Sequence, residues 1–146
     1  MDRAAAPADA CVVSLTSIPP RFRALERTLA SLLDQGPLVG EVRLHLPRRY
    51  RRFPDWDGAL PRLDRRVRVV RISEDLGPAC KVLPAAEELR GASTPILFCD
   101  DDHVYPRGWA RRLLAEHARR PECCVAALGR HLFDILPGEA DPAIAE

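Results

Sequence analysis

Three consecutive carboxylates, Asp100, Asp101 and Asp102, stand directly behind the apolar run Ile96-Leu97-Phe98-Cys99, and Pro106 closes the segment. Such groups side by side repel one another and lose hydration, so they need a cation or a set of hydrogen-bond donors. An oxygen-rich acidic site suits Mg²⁺ or Mn²⁺, above all when the ligand brings phosphates. The same residues also fit a plainer role, in which Asp102 caps the segment that begins near Pro106. Calcium binding and structural salt bridges complete the alternatives. On extended backbone Asp100 and Asp102 point to one side and Asp101 to the other.

Two further polar clusters follow apolar runs in the same manner. Cys11-Val12-Val13-Ser14-Leu15 leads into Thr16-Ser17-Ile18-Pro19-Pro20-Arg21, a loop with hydroxyls, a rigid proline pair and a guanidinium. Arg66 to Ile72 leads into Ser73-Glu74-Asp75-Leu76-Gly77-Pro78-Ala79-Cys80-Lys81, which supplies a carboxylate, a flexible glycine and the chain's one lysine. Lys81 is expected in the first turn of a helix, where a cation is unfavourable unless an anion joins it. That conflict points to phosphate, with a solvated lysine as the alternative.

The elements that must position these clusters follow from periodicity. Strands are predicted at Cys11–Leu15, Glu41–Leu46, Arg66–Ile72, Ile96–Cys99 and Cys123–Leu128. Ile96 to Cys99 does not alternate and reads as buried on both faces. Glu41 to Leu46 alternates, with Val42, Leu44 and Leu46 on one side and Arg43 and His45 on a partly exposed one. Apolar spacing of three and four at Phe22, Leu25, Leu29, Leu32 and Leu33 predicts a first helix, stopped by Gln35-Gly36-Pro37. A second helix is expected to bury Val82, Leu83, Ala86 and Leu89, and a third to use Trp109, Leu113 and Leu114, with Trp109 as a core anchor. Pro47 to Phe53 interleaves arginines with aromatics, a pattern able to hold phosphates or nucleic acid. Asp55, Asp57 and Asp64 follow it closely, so a solvated irregular loop is expected there.

Strands alternating with helices define an α/β fold, a mostly parallel open sheet with flanking helices. Residues 1–10 read as a disordered leader, 11–131 as one domain and 132–146 as an irregular tail. Ligands of open α/β sheets bind at the carboxyl ends of the strands, so all three polar clusters should converge on one edge.

Composition narrows the field. With 146 residues and a formal net charge of +1, nothing demands nucleic acid or a membrane as partner. No apolar run reaches the roughly 18 to 20 residues of a membrane span, and no signal-peptide core precedes Cys11. A cytoplasmic protein is expected, with any membrane association running through a partner. Five cysteines make no disulfide framework, and the scattered histidines do not assemble a zinc site. Gly-x-Gly-x-x-Gly and P-loop motifs are absent.

Taken together, Leu15-Thr16-Ser17-Ile18-Pro19-Pro20-Arg21, Asp75-Leu76-Gly77-Pro78-Ala79-Cys80-Lys81 and Ile96-Leu97-Phe98-Cys99-Asp100-Asp101-Asp102 resemble the nucleotide-sugar-binding half of GT-A-fold glycosyltransferases, more loosely their family 2. The resemblance covers roughly residues 11 to 131. It implies that Thr16, Ser17 and Arg21 lie near base or ribose, that Asp75 receives the base, and that Lys81 meets the diphosphate. It further implies that Asp100 turns toward the ribose and Asp102 toward Mn²⁺ or Mg²⁺, with Asp101 in the variable middle place of the nucleotide site. The implied reaction is metal-assisted transfer of a sugar from a nucleoside diphosphate sugar to an acceptor hydroxyl. The resemblance names neither the acceptor nor the catalytic base. Enzymes of this fold continue into an acceptor-binding half that residues 132–146 are not expected to supply. A truncated product, a fragment of a longer protein, and an assembly in which a second copy or a partner completes the site are the open expectations. A noncatalytic binding module of the same fold is the principal alternative. A nucleotidyltransferase is a lesser one, since Thr16 to Arg21 lacks the glycine-rich loop that would hold a triphosphate.

Overall fold

The computed structural model describes residues 10–127. The expected leader over 1–9, the tail over 132–146 and the turn Gly129 to His131 lie outside the described residues. Strand β1 (Cys11–Thr16) leads through a 3₁₀ turn (Pro19–Arg21) into helix α1 (Phe22–Leu33). Strands β2 (Val39–Pro47) and β3 (Val67–Ile72) follow, then a second 3₁₀ turn (Gly77–Lys81), helix α2 (Leu83–Glu88), strand β4 (Ile96–Phe98) and helix α3 (Trp109–Arg119). All pairings are parallel, in the order β3-β2-β1-β4. The expected α/β fold is the observed one.

That order contains the feature that places a ligand site. From β1 the chain steps outward to β2 and β3, then returns to the far side of β1 to lay down β4. The direction of winding therefore reverses between β1 and β4, and a crevice opens beyond their carboxyl ends. Thr16 to Arg21 and Asp100 to Asp102 flank it.

The two sheet faces differ in chemistry. Val13 and Leu15 of β1 stand level with Val42 and Leu44 of β2, and this face packs on Phe22, Leu25, Leu29 and Leu32 of α1. Leu25 and Leu32 are fully buried, and truncating either to alanine removes about 3 kcal/mol of stability. Trp109 and Ala110 of α3 join the same core, so Trp109 is the anchor its sequence context suggested. Helix α1 ends where Gly36 takes a positive φ of 84°. The buried Gln35 side chain then ties α1 to α3, donating to Pro106 O at 3.1 Å and accepting from the Ala110 N–H at 3.1 Å.

The opposite face carries Ser14, Arg43 and His45, all buried, beneath the second 3₁₀ turn and α2. Arg43 and His45 were expected on a partly exposed face. The alternation was correct, but the segment from Gly77 to Glu88 covers that side. Arg43 is held there by Glu41 at 2.8 Å and Glu88 at 3.1 Å.

Three other expectations are corrected. Ile96 to Phe98 is not buried on both faces: β4 is an edge strand, and Phe98 is 50% exposed. Helix α2 turns Ala85 inward and leaves Leu83 and Ala86 exposed, because Pro78 and Pro84 confine it to a short helix after a 3₁₀ turn. Residues 123–127 form no strand, and Leu128 of that expected strand lies outside the described residues.

Candidate functional site

A cleft of about 720 Å³ opens at the carboxyl ends of the strands, lined by Thr16, Ser17, Arg21, Asp75, Lys81, Asp100 and Asp101 among others. Three segments far apart in sequence therefore meet on one surface. Asp102 stands beside it, with its carboxylate 3.4 Å from Arg21 Nη1.

The aspartate turn is held rigidly from below. Asp101 is buried, 4% exposed. It accepts a hydrogen bond from the Ser17 hydroxyl at 2.5 Å and another from Arg21 Nη1 at 2.8 Å. Its own backbone carbonyl accepts from the Thr28 hydroxyl of α1 at 2.9 Å. Tyr105 clamps the turn from the other end, its hydroxyl accepting from the Asp100 N–H at 2.9 Å and donating to the Asp100 carbonyl at 3.1 Å. Burial pushes the Tyr105 phenol upward, so it stays neutral. Buried Cys99, raised to about 12 by desolvation, is likewise a neutral thiol.

Asp100 and Asp102 remain exposed, on a backbone that bends after β4 and does not continue as extended strand. Lys81 Nζ lies 2.5 Å from Asp100 Oδ1, and this hydrogen bond holds the carboxyl below the usual range. Asp102 receives His103 Nδ1 at 2.8 Å. Arg21, half exposed, is raised above the ordinary guanidinium value chiefly by its hydrogen bond to Asp101.

Of the hydroxyls, Thr16 donates to the His45 carbonyl at 2.7 Å and Ser17 to Asp101, so both act within the walls of the cleft. Asp75 joins two loops: one oxygen accepts from the Arg51 N–H of the segment after β2 at 2.8 Å, the other from the Gly77 N–H of its own loop at 3.0 Å. Each carboxylate oxygen keeps further acceptor capacity for a ligand. Gly77 takes a φ of 58°, which lets the loop bend back under Asp75 and present Lys81.

Two features escaped the sequence reading. Tyr50, Arg51, Arg52 and Phe53, expected in a solvated loop, line the cleft opposite the aspartates. Tyr50 is buried, donates to the Ser17 carbonyl at 2.9 Å and packs edge-on against Trp56 at 5.1 Å. The interleaving of arginine and aromatic residues was the available signal. The other feature is His103. A nitrogen of its ring and one oxygen each of Asp100 and Asp102 lie within 4.8 Å of one another. Two carboxylates and an imidazole fit a divalent metal that accepts mixed oxygen and nitrogen donors.

Beneath the site, Ser14 Oγ donates to the Lys81 carbonyl at 2.6 Å and contacts His45 Nδ1 at 3.0 Å. One hydroxyl hydrogen serves only one acceptor, so the network assigns the imidazole proton to Nδ1. His45 Nε2 is then a buried lone pair with no hydrogen-bond partner among the described residues.

No protein-family model matches the chain, and neither does any curated protein or any solved structure. Among the described residues no helix is long and apolar enough to cross a membrane.

Proposed function

We propose that this chain binds a nucleoside diphosphate sugar and forms the donor-binding part of a metal-dependent glycosyltransferase with a GT-A-like site. One observation carries the reading. Three strand-end segments rich in carboxylates, hydroxyls and cations meet at a single cleft where the winding of a parallel sheet reverses.

Asp100, Asp102 and His103 would hold Mn²⁺ or Mg²⁺. When bound, the ion stabilises negative charge on the departing diphosphate. The chain's own cations serve the same end: Lys81, Arg21, Arg51 and Arg52 face the cleft, where fixed positive charge acts on phosphates without reorganisation. Phe53, Leu76 and Pro78 supply an apolar wall for a base, and Asp75 offers a carboxylate at its edge. Ser17 is committed to Asp101, so its role is to shape the site. Free cysteines throughout the chain suit a reducing compartment such as the cytoplasm, with membrane association, if present, through a partner.

The test is calorimetric titration with UDP, GDP and dTDP, each with and without Mn²⁺, on the wild type and on Asp102→Ala and Lys81→Ala. Metal-dependent binding of one nucleotide, lost in Asp102→Ala, is expected. Folded protein that binds none of them with metal present overturns the reading.

A further inference from the structure

Two carboxylates at the aspartate turn already face the chain's own cations. Lys81 Nζ sits on Asp100 Oδ1 at 2.5 Å, and Arg21 Nη1 lies 3.4 Å from Asp102. A metal that takes Asp100 must therefore compete with an ammonium group for the same carboxylate. A phosphate in the cleft would offer that ammonium a second anion.

We propose that Lys81 is an exchangeable counter-ion, holding Asp100 until a phosphate-bearing ligand draws it away, so that divalent metal and diphosphate bind cooperatively. This inference rests on the reading of the cleft as a metal–diphosphate site. The backbone of Lys81 is fixed from below, its carbonyl accepting the Ser14 hydroxyl at 2.6 Å. Exchange thus needs only side-chain rotation, which an ammonium on a four-carbon stem accomplishes readily. The Lys81 side chain is 21% exposed and lines the cleft, so it faces the space a diphosphate would enter. Each ligand removes an obstacle to the other, and by linkage the coupling is reciprocal.

The consequence runs against simple charge complementarity to nucleotide. Removing Lys81 should weaken diphosphate binding yet strengthen binding of metal alone. Mn²⁺ affinity is measured without nucleotide, by loss of the free-ion paramagnetic resonance signal, on the wild type, Lys81→Met, Asp100→Asn and the double variant. Lys81→Met is expected to bind Mn²⁺ about tenfold more tightly than wild type, a change worth about 1.4 kcal/mol. Loss of that gain in the Asp100→Asn background would tie it to this contact. Arg119→Met removes an exposed cation outside the cleft and should change Mn²⁺ affinity less than about twofold, as expected for a screened, solvated charge. Circular dichroism confirms that each variant folds.

The chain contains a single lysine, so selective ¹³C-lysine labelling gives one ε-methylene resonance that reports on Lys81 alone. Adding UDP together with diamagnetic Mg²⁺ is expected to move it further than Mg²⁺ alone, and Asp100→Asn to move it in ligand-free protein. Equal Mn²⁺ affinity of wild type and Lys81→Met, with uptake still dependent on Asp102, overturns the exchange while the metal site stands. No Asp102-dependent Mn²⁺ uptake by any protein, with or without UDP, overturns both.

Discussion

The Ser17 hydroxyl donates to the Asp101 carboxylate at 2.5 Å, joining two residues 84 positions apart. This contact fastens the loop after β1 to the turn after β4. It also accounts for the division of labour among the aspartates: the middle one is spent on structure, and its two neighbours are left to face solvent.

Asp101→Ala removes the acceptor of Ser17 and Arg21 together. It should lower the free energy of unfolding by about 2 kcal/mol, the scale of lost charge-assisted hydrogen bonds. Ser17→Ala should cost about 1 kcal/mol. Urea denaturation measures both. A loss below about 0.5 kcal/mol for Asp101→Ala, ordinary for surface changes, would show that the contact does not hold the turn.

His103 adds a nitrogen donor to two carboxylates within 4.8 Å. Imidazole suits manganese better than magnesium, which prefers oxygen. Wild type should therefore favour Mn²⁺ over Mg²⁺, and His103→Ala should narrow that preference several-fold while Asp102→Ala abolishes binding of both. Competition of Mg²⁺ against bound Mn²⁺, followed by paramagnetic resonance, gives the ratio. An unchanged ratio would remove His103 from the site.

His45 is fully buried, and its pKa lies below 6.5 because desolvation penalises the imidazolium, with Arg43 adding repulsion. Glu88 and Glu41 oppose that shift and Arg68 supports it. The unfolded chain takes up the proton near pH 6.5, whereas the folded chain does so only at lower pH. Stability from neutral burial is thus complete above that value and declines as the pH falls below it. His45→Asn, which keeps a donor for Ser14, should flatten the fall in unfolding free energy as the pH drops below 6.5. Denaturant titrations across that range would contradict this if the two slopes agree.

Arg43 is buried between Glu41 and Glu88, while the more exposed Arg68 also reaches both, at 3.6 and 2.8 Å. Replacing Arg43 leaves each carboxylate with Arg68, whereas removing both carboxylates strands a buried guanidinium. Arg43→Met should therefore cost less than about 1 kcal/mol, and Glu41→Ala combined with Glu88→Ala about 3 kcal/mol or more. Thermal and urea unfolding of the variants would settle the order, and the reverse order would sink the argument.

Four strands, the first helix and the strand-end residues of the cleft were legible in the chain because they rest on local properties, whereas the cleft wall from Tyr50 to Phe53 was not. Apolar spacing defined β1, α1, β2 and β3, and the placement of Asp75, Lys81 and Asp100 behind apolar runs marked strand ends. Tertiary structure decided what covers each face and which charges meet. Arg43 and His45 are buried because the Gly77–Glu88 segment closes over them, a packing event that alternation within β2 does not encode. Phe98 is exposed because β4 lies at the sheet edge, although its own run reads as core. Asp101 is a buried tie and Asp102 an exposed carboxylate only because Ser17, Arg21 and Thr28 converge on one of two chemically identical neighbours. Side-chain type and periodicity act over a few residues, whereas burial and ion pairing depend on contacts between segments tens of residues apart. For that reason this sequence disclosed the chemistry available to the protein, and folding determined where each group applies it.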